Sequence, residues 1–346
     1  MQHVVDIKRL VEDGWITSAQ AKEIARRSRE TMVALAVNTL LCAGIIAATF
    51  GLIFWLADAL AVAAAGVILL VIGGLVLVKG SELYRMLGNA SAIVGAGMLV
   101  GGAGIELADT FRELAEPMMI FAGALIAAAA YLVFSRGRAA FSFAAGSVML
   151  MGAALHLSGV ALATMDLGDW APVMVKGYAA VLIAVSGILV NVRFVTALAI
   201  VPFVQMLDTG TQYFHATYVF YSPESTLTVL QMTVLIGACL WIASRVTDRY
   251  ARHAGILAIM AAVVANLAFL VGSLWGDHVG LTYSEFPNWD NDLSWQENQA
   301  IRDAFRAQFF TISEHVYSVV WAMVLACAAL WAAHGNKRGL FLSLIH

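Results

Sequence analysis

The chain has 346 residues, 61% hydrophobic and 12% charged, with 20 Lys and Arg against 23 Asp and Glu, for a formal net charge of −3. Its mean hydropathy is +0.82. A soluble domain is about a quarter charged, so this chain lacks the ionic surface that water requires. Lipid is the solvent most of its residues suit, and the absence of a basic run argues against a nucleic-acid partner.

The first 32 residues are polar. Val4, Ile7, Leu10 and Val11 recur at helical spacing, Gly14 can stop that helix, and Thr17-Ser18-Ala19-Gln20 forms a capping box for a second. Residues 1–32 are therefore expected to form a cytoplasmic helical hairpin, with 33–346 as a transmembrane bundle. Arg26, Arg27 and Arg29 abut the membrane; they act as an orientation signal, or in addition meet anionic lipid. The hairpin also offers a surface to a protein partner. The first apolar run starts near Val33, too late and too long for a cleaved signal peptide.

A helical span needs roughly 17–25 apolar residues. Ten stretches qualify, near 33–56, 59–78, 86–108, 117–134, 141–163, 174–192, 194–215, 225–243, 254–275 and 314–333. The first two are joined by a tight turn around Asp58. The predicted fold class is all-α, a polytopic transmembrane helix bundle.

Basic residues orient it. On the N-terminal side lie six in 1–32, then Lys79, Arg85, Arg136, Arg138, Arg193, Arg245, Arg249, Arg252, Lys337 and Arg338. The other side has Arg112, Lys176, Arg302 and Arg306. Sixteen against four makes the N-terminal side cytoplasmic, and the even span number returns the C-terminus there. Trp55, Trp170 and Trp275 near the outer ends of spans, and Trp241 and Trp331 near the inner ends, suit the headgroup level.

One long loop, 276–313, faces outward. It carries Asp277, Glu285, Asp290, Asp292, Glu297 and Asp303, with Trp289 and Trp295 among them. Ser294 followed by Gln296-Glu297 predicts a surface helix over 295–310. Such a loop is functional or a simple tether.

Leu10-Val11-Glu12-Asp13-Gly14-Trp15-Ile16-Thr17, then Gln20-Ala21 and Ile24, precede a glycine-rich multi-span body. This opening resembles the bacterial membrane proteins of the domain of unknown function family 2157. The detailed similarity covers about residues 8–30. Lys337-Arg338-Gly339-Leu340-Phe341 also looks like that family's C-terminal region. The resemblance implies a bacterial plasma membrane and further residues after Phe341. It implies no activity, cofactor or catalytic residue.

No Walker A lysine loop, HExxH or GxSxG is present, and no cofactor is expected. Cys42, Cys239 and Cys327 lie in apolar runs and read as small buried hydrophobes. Gly97 and Gly101 form a GxxxG extended by Gly104, which predicts close helix packing.

The most informative segment is the seventh span. Gln205, Asp208, Gln212 and His215 would share one face of a continuous helix, with Thr209 and Thr211 beside them, Pro202 able to bend it and Gly210 to loosen it. An aspartate in hydrocarbon costs at least about 2.5–3.5 kcal/mol, so it faces the bundle interior or a water-filled cavity. Asp208 would sit roughly 21 Å along the helix from Phe194. Alternatively the span is short and ends near Leu207, leaving Asp208 to His215 among the headgroups. Glu106, His156, Asn266, Glu314 and His315 occupy similar depths in other spans. Gathered around Asp208, these residues would make an outward-facing polar pocket for a proton, cation or small solute. Taken singly, each is interhelical hydrogen-bond glue, as Asn38 and Gln231 would be. His156, His215 and His315 with Asp208 or Glu314 lack the local ligand spacing of a zinc site, and no metal is assigned.

Two functions follow from this pattern. A secondary transporter fits ten spans divided five and five, which makes the halves inverted repeats. A non-catalytic scaffold or envelope sensor would act through 1–32 and 276–313. An enzyme acting on a lipid-linked substrate ranks last, because nothing positions a nucleophile.

Overall fold

The computed structural model describes residues 7–334 apart from 57, 81–83, 138, 166, 169, 208–211, 215–216, 222–223, 282–286 and 288–289. The Lys337–Phe341 stretch, Glu285 and Trp289 lie outside the described residues, as do the side chains of Asn38, Trp55 and Trp331. Among the described residues, seven helices are long and apolar enough to cross a membrane. They are α3 (Ala59–Lys79), α4 (Arg85–Thr110), α5 (Arg112–Arg136), α6 (Ala139–Ala163), α7 (Trp170–Leu189), α10 (Ser225–Ala243) and α11 (Asp248–Trp275). Shorter apolar stretches occur at Thr39–Thr49, Arg193–Val204 and Glu314–Leu330. Leu60, Ile68 and Leu75 of α3 are 62%, 61% and 52% exposed. A row of bare leucines and isoleucines suits hydrocarbon and not water. This is a predominantly helical membrane protein.

Contacts divide the chain into two units, Met1–Leu162 and Ala163–His346. In the first, α1 (Ile7–Glu12) ends in a turn at Gly14, whose φ of +75° suits a residue without a Cβ. The Thr17 box then forms: Gln20 Oε1 accepts the Thr17 N–H at 2.9 Å, and Thr17 Oγ1 accepts the Gln20 N–H at 3.2 Å. The helix it starts, α2 (Ser18–Leu56), continues for 39 residues without a break. The polar helix and the first apolar run are thus one rod of about 58 Å. Glu23 accepts from Arg26 and Arg27, and these bonds hold its carboxyl below the ordinary range. Asp58 caps α3, accepting the Ala61 N–H at 2.7 Å, which makes the turn after α2 sharp.

Packing of α3 against α4 rests on glycines spaced by seven, two helical turns. Gly66 of α3 meets Gly95 of α4, Gly73 meets Gly88, and Gly102 of α4 meets Ala59 and Ala63. A Cβ on Gly66 would lie 2.5 Å from the Leu99 nitrogen, and one on Gly102 would lie 2.6 Å from the Ala59 oxygen. Backbone therefore touches backbone. Gly123 and Gly152 bring α5 and α6 together in the same way.

Among the described residues, the GxxxG predicted to pack within the bundle or between protomers makes no close helix contact within the chain. Gly101 has nothing within 4 Å of where a Cβ would be, and Gly97 has only the Met151 Cε at 3.6 Å. These glycines lie on the face of α4 turned away from α3, so the tight seam passes them by.

In the second unit, α7, α10 and α11 pack with α8 (Arg193–Leu198), α9 (Ile200–Val204) and α13 (Glu314–His334). Its core joins Ile200, Val204, Met232, Ala261 and Ala265. Two small ribbons depart from the all-α expectation: β1 (Gln212–Phe214) with β2 (Thr217–Tyr221), and β3 (Asp277–Val279) with β4 (Phe310–Ile312). The second ribbon is antiparallel, pairing Asp277 with Ile312 and Val279 with Phe310. It ties the two ends of the 276–313 segment together just after α11 and just before α13.

Between them, α12 (Trp295–Arg306) is shorter than the expected 295–310, because Phe310 already belongs to β4. Its capping box is complete, with Ser294 Oγ accepting the Glu297 N–H at 3.3 Å and Glu297 Oε2 accepting the Ser294 N–H at 2.9 Å. Bonds from Ser294 hold the Glu297 carboxyl below its ordinary value of 4.5. A carboxyl lowered on folding stabilises the helix fully above that ordinary value, and the gain is lost as pH falls through the lowered one. Hydrogen exchange at residues 295–299, corrected for intrinsic rates, is expected to be slow at pH 7 and fast near pH 3. Glu297→Gln should weaken protection at pH 7 and flatten this dependence. A wild-type profile unchanged between the two pH values would remove Glu297 from the cap.

Candidate functional site

The seventh apolar stretch does not form one long helix. Pro202 has no N–H to give the Leu198 carbonyl, and its ring crowds that oxygen, so the helix breaks at Ala199 between α8 and α9. Helical structure ends at Val204, and residues 205–207 form a turn. From Arg193 to Val204 is about 18 Å of helix, well short of a hydrocarbon layer of about 30 Å. The expected stripe of Gln205, Asp208, Gln212 and His215 on one helical face is therefore corrected. Gln212 lies in β1, opposite Tyr221, in a run whose aromatic and β-branched residues favour strand. Asp208 and His215 lie outside the described residues, as do Thr209, Gly210 and Thr211.

A helix that stops leaves its last carbonyls without partners in the helix. Two side chains meet them. Gln231 of α10 donates from Nε2 to the Phe203 carbonyl at 2.7 Å. Lys176 of α7 donates from Nζ to the Gln205 carbonyl at 2.9 Å. The ammonium thus sits at the negative end of the α8–α9 dipole, where a cation is favoured. Lys176 is six residues from Trp170, about 9 Å along α7 from its N-terminal end.

The opposite arrangement occurs where the chain re-enters helix. Ser225 opens α10, and Glu224, fully buried, occupies the N-cap position without a side-chain cap bond. The cap comes from elsewhere in the chain. Asp277, only 5% exposed, accepts on Oδ2 from the Thr226 N–H at 2.8 Å, from the Thr226 hydroxyl, and from the Tyr317 hydroxyl at 3.0 Å. The Thr226 and Tyr317 hydroxyls also lie within hydrogen-bond reach of one another, so their two protons serve three contacts. The Tyr317 ring lies flat against Gly272, which has no side chain to displace it, and packs edge-on to Phe269. One carboxylate thereby joins the first residue of β3 to the ends of α10 and α13. An anion at a helix N-terminus is stabilised by the positive end of its dipole. The interruption between α9 and α10 is thus bounded by a cation at one helix end and an anion at the other.

The remaining predicted residues are held separately. Glu106 accepts from Thr110 on its own helix at 2.8 Å. His156 donates from Nδ1 to the Ile120 carbonyl at 2.9 Å, beside the Gly123 contact. Asn266 accepts the Trp321 indole N–H at 2.8 Å and so ties α11 to α13. Glu314 and His315 lie 3.6 Å apart, with the His315 side chain 87% exposed. Gln205 contributes its carbonyl to Lys176, while its side chain is exposed. Each bond is of the interhelical or local kind that stabilises membrane bundles. Among the described residues, no group of three or more His, Cys, Asp or Glu is placed to hold a metal ion.

Two polar clusters went unseen in the sequence. Asp277 reads there as one loop acid among six. The other lies where α11 starts beside the end of α7 and the start of α8: His253, 1% exposed, bonds through Nδ1 to Thr196 Oγ1 at 2.7 Å and through Nε2 to Asn191 Oδ1 at 3.3 Å. Arg249 donates to the Ile188 and Leu189 carbonyls at the end of α7, at 2.9 and 3.4 Å. This network closes helix ends. The Arg and His flanking a span would be the signal to look for. Compared with protein-family models, curated proteins and solved structures, the chain finds no match.

Proposed function

We propose that the chain is a ten-span permease of the bacterial plasma membrane, with both termini cytoplasmic and its solute or ion site at the interruption between α9 and α10. The observation that carries this reading is the half-length α8–α9 helix, whose end carbonyls are met at membrane depth by Lys176 and Gln231. Transporters build substrate and coupling-ion sites from such discontinuous helices, because opposed helix ends supply charge without ionised side chains in lipid. Asp208 follows this end by four residues and is the group we assign to coupling. The division of the chain at Leu162 supports the five-and-five arrangement, since five of the ten predicted spans fall on each side. The basic residues support the orientation. The N-terminal resemblance supports the bacterial membrane.

The test is flux. Proteoliposomes loaded with a pH-sensitive dye are challenged with sodium, potassium, amino acids and carboxylates under an imposed proton gradient. Solute-dependent proton movement is expected, abolished by Asp208→Asn and reduced by Lys176→Gln. Movement no greater than in empty vesicles would sink the permease reading. Unchanged flux in Asp208→Asn would remove that residue from the mechanism.

A second reading, an envelope sensor, has its own observation. The outward segment is tied to α10 and α13 through Asp277, and α2 runs unbroken from the N-terminal polar segment into the first apolar run. Removing residues 1–30 would then abolish function while the bundle still folds, and full activity of the shortened chain would reject this reading.

A further inference from the structure

We infer that the second unit binds the phosphate of an anionic phospholipid at three arginines, Arg193, Arg249 and Arg252, gathered where α7 ends and α8 and α11 begin. The buried hydrogen bond between Thr196 and His253 sets this cluster. Arg193 stands three residues before Thr196 on α8, and Arg249 four residues before His253 on α11. Each pair shares one helical face, a turn apart. Joining Thr196 to His253 therefore draws Arg193 and Arg249 together. Arg249 also reaches the Ile188 and Leu189 carbonyls, which fixes its guanidinium at the end of α7. Arg252 directly precedes His253. All three arginines act electrostatically on the His253 ring, and none of the charges that do so is a carboxylate.

Like charges held around one ring repel unless an anion lies among them. The chain supplies little. Asp248 is its one carboxylate between Glu224 and Asp277, and among the described residues no acid pairs with any of the three arginines. The N-terminal arginines differ. Arg26 pairs with Glu23 and Glu30, and Arg27 with Glu23, so their charge is already met. An orientation signal needs only basic residues on one side of the membrane; it does not need them concentrated around a buried histidine. The surroundings name the carrier of the anion. The cluster stands where the candidate span α10 has just ended and the candidate span α11 begins, the level of lipid phosphates. The arginines are exposed, and so are Val192, Phe194 and Tyr250 beside them in the chain. A small soluble anion would leave these apolar groups in water, whereas a phospholipid lays its glycerol and acyl chains over them. The planar fork of a guanidinium fits two phosphate oxygens at once. Phosphatidylcholine brings a cation beside its phosphate, so a lipid of net negative charge is the better match.

The probe is dioleoylphosphatidylglycerol, titrated into the full chain in an uncharged detergent and counted by native mass spectrometry, with dioleoylphosphatidylcholine as the reference. Phosphatidylglycerol is expected to bind saturably and more tightly than phosphatidylcholine. Arg193→Gln combined with Arg252→Gln should weaken it about twenty-fivefold, at about fivefold for each charge removed. Arg26→Gln combined with Arg27→Gln should leave it unchanged. If the first pair fails to elute as a folded species, Arg252→Gln alone reads the same contact as about a fivefold loss. Equal binding of the two lipids, undiminished binding in the Arg193 and Arg252 variants, or an equal loss in the N-terminal pair overturns the inference. Displacement of the lipid by inorganic phosphate, but not by sodium chloride of the same ionic strength, would overturn it in favour of a free anion.

Discussion

Gly95→Ala is expected to destabilise the first unit by about 3 kcal/mol, while Gly101→Ala, six residues along the same helix, leaves stability unchanged or raises it by up to about 1 kcal/mol. The difference is one of facing partner. A Cβ on Gly95 would collide with the Leu70 nitrogen, lie 2.7 Å from the Gly66 oxygen and 2.9 Å from the Leu69 carbonyl carbon. All three are backbone atoms and cannot rotate away, so α3 and α4 must separate. Their contact depends on close approach, because lipid supplies no hydrophobic drive between helices and packing carries the association. Gly66→Ala should behave like Gly95→Ala, since each glycine sits against the other's carbonyl. At Gly101 the added methyl enters open space and lowers backbone entropy in the unfolded chain, which favours helix. Thermal unfolding in one detergent, with single variants, reads the contrast. Equal loss at both positions would mean that the glycines act through helix propensity and not through contact.

That contrast also shows what a sequence reveals. Spans such as α3 and α11 are legible because hydropathy averages over twenty residues and tolerates local error. Gly97-x-x-x-Gly101 is a motif by spacing alone, and spacing does not say which face meets a partner. The informative signal was the seven-residue repeat shared by neighbours, Gly66 and Gly73 on one helix with Gly88, Gly95 and Gly102 on the next. The short span was half legible: Pro202 was visible, and an end near Leu207 was one of two readings. What decided between them was the supply of donors for the Phe203 and Gln205 carbonyls, from Gln231 and Lys176, tens of residues away. Three-residue strands such as β3 carry no periodicity at all. Asp277 was hidden for a similar reason, since its meaning depends on Thr226 and Tyr317, 51 positions before it and 40 after.

Asp277→Ala should cost about 3–5 kcal/mol, the largest effect of any single polar substitution in the second unit. Losing the carboxylate strands the Thr226 N–H and one of two hydroxyl protons, since the Thr226 and Tyr317 hydroxyls can still bond each other. Each buried donor left without an acceptor costs about 1–3 kcal/mol, reduced where the alanine cavity admits water. The charge that offsets the α10 dipole goes too, worth about 0.3–1 kcal/mol. Asp277→Asn keeps a carbonyl oxygen in the same place and loses mainly the charge, so about 1–2 kcal/mol is expected. Tyr317→Phe retains the ring against Gly272 and Phe269 and removes one bond, about 1 kcal/mol. Because the three groups share one oxygen, the costs should not add. Asp277→Ala combined with Tyr317→Phe should be less harmful than the sum, since each change alone already removes the bond between Tyr317 and Asp277. The consequence extends beyond stability. β3 begins at this residue and pairs with β4 immediately before α13. Freeing Asp277 should therefore raise hydrogen exchange across 277–279 and 310–312 while α3 to α6 stay protected. If Asp277→Ala unfolds within about 1 kcal/mol of the parent, or if exchange in the ribbon is unaltered, the carboxylate is not what fastens the 276–313 segment to the helix ends.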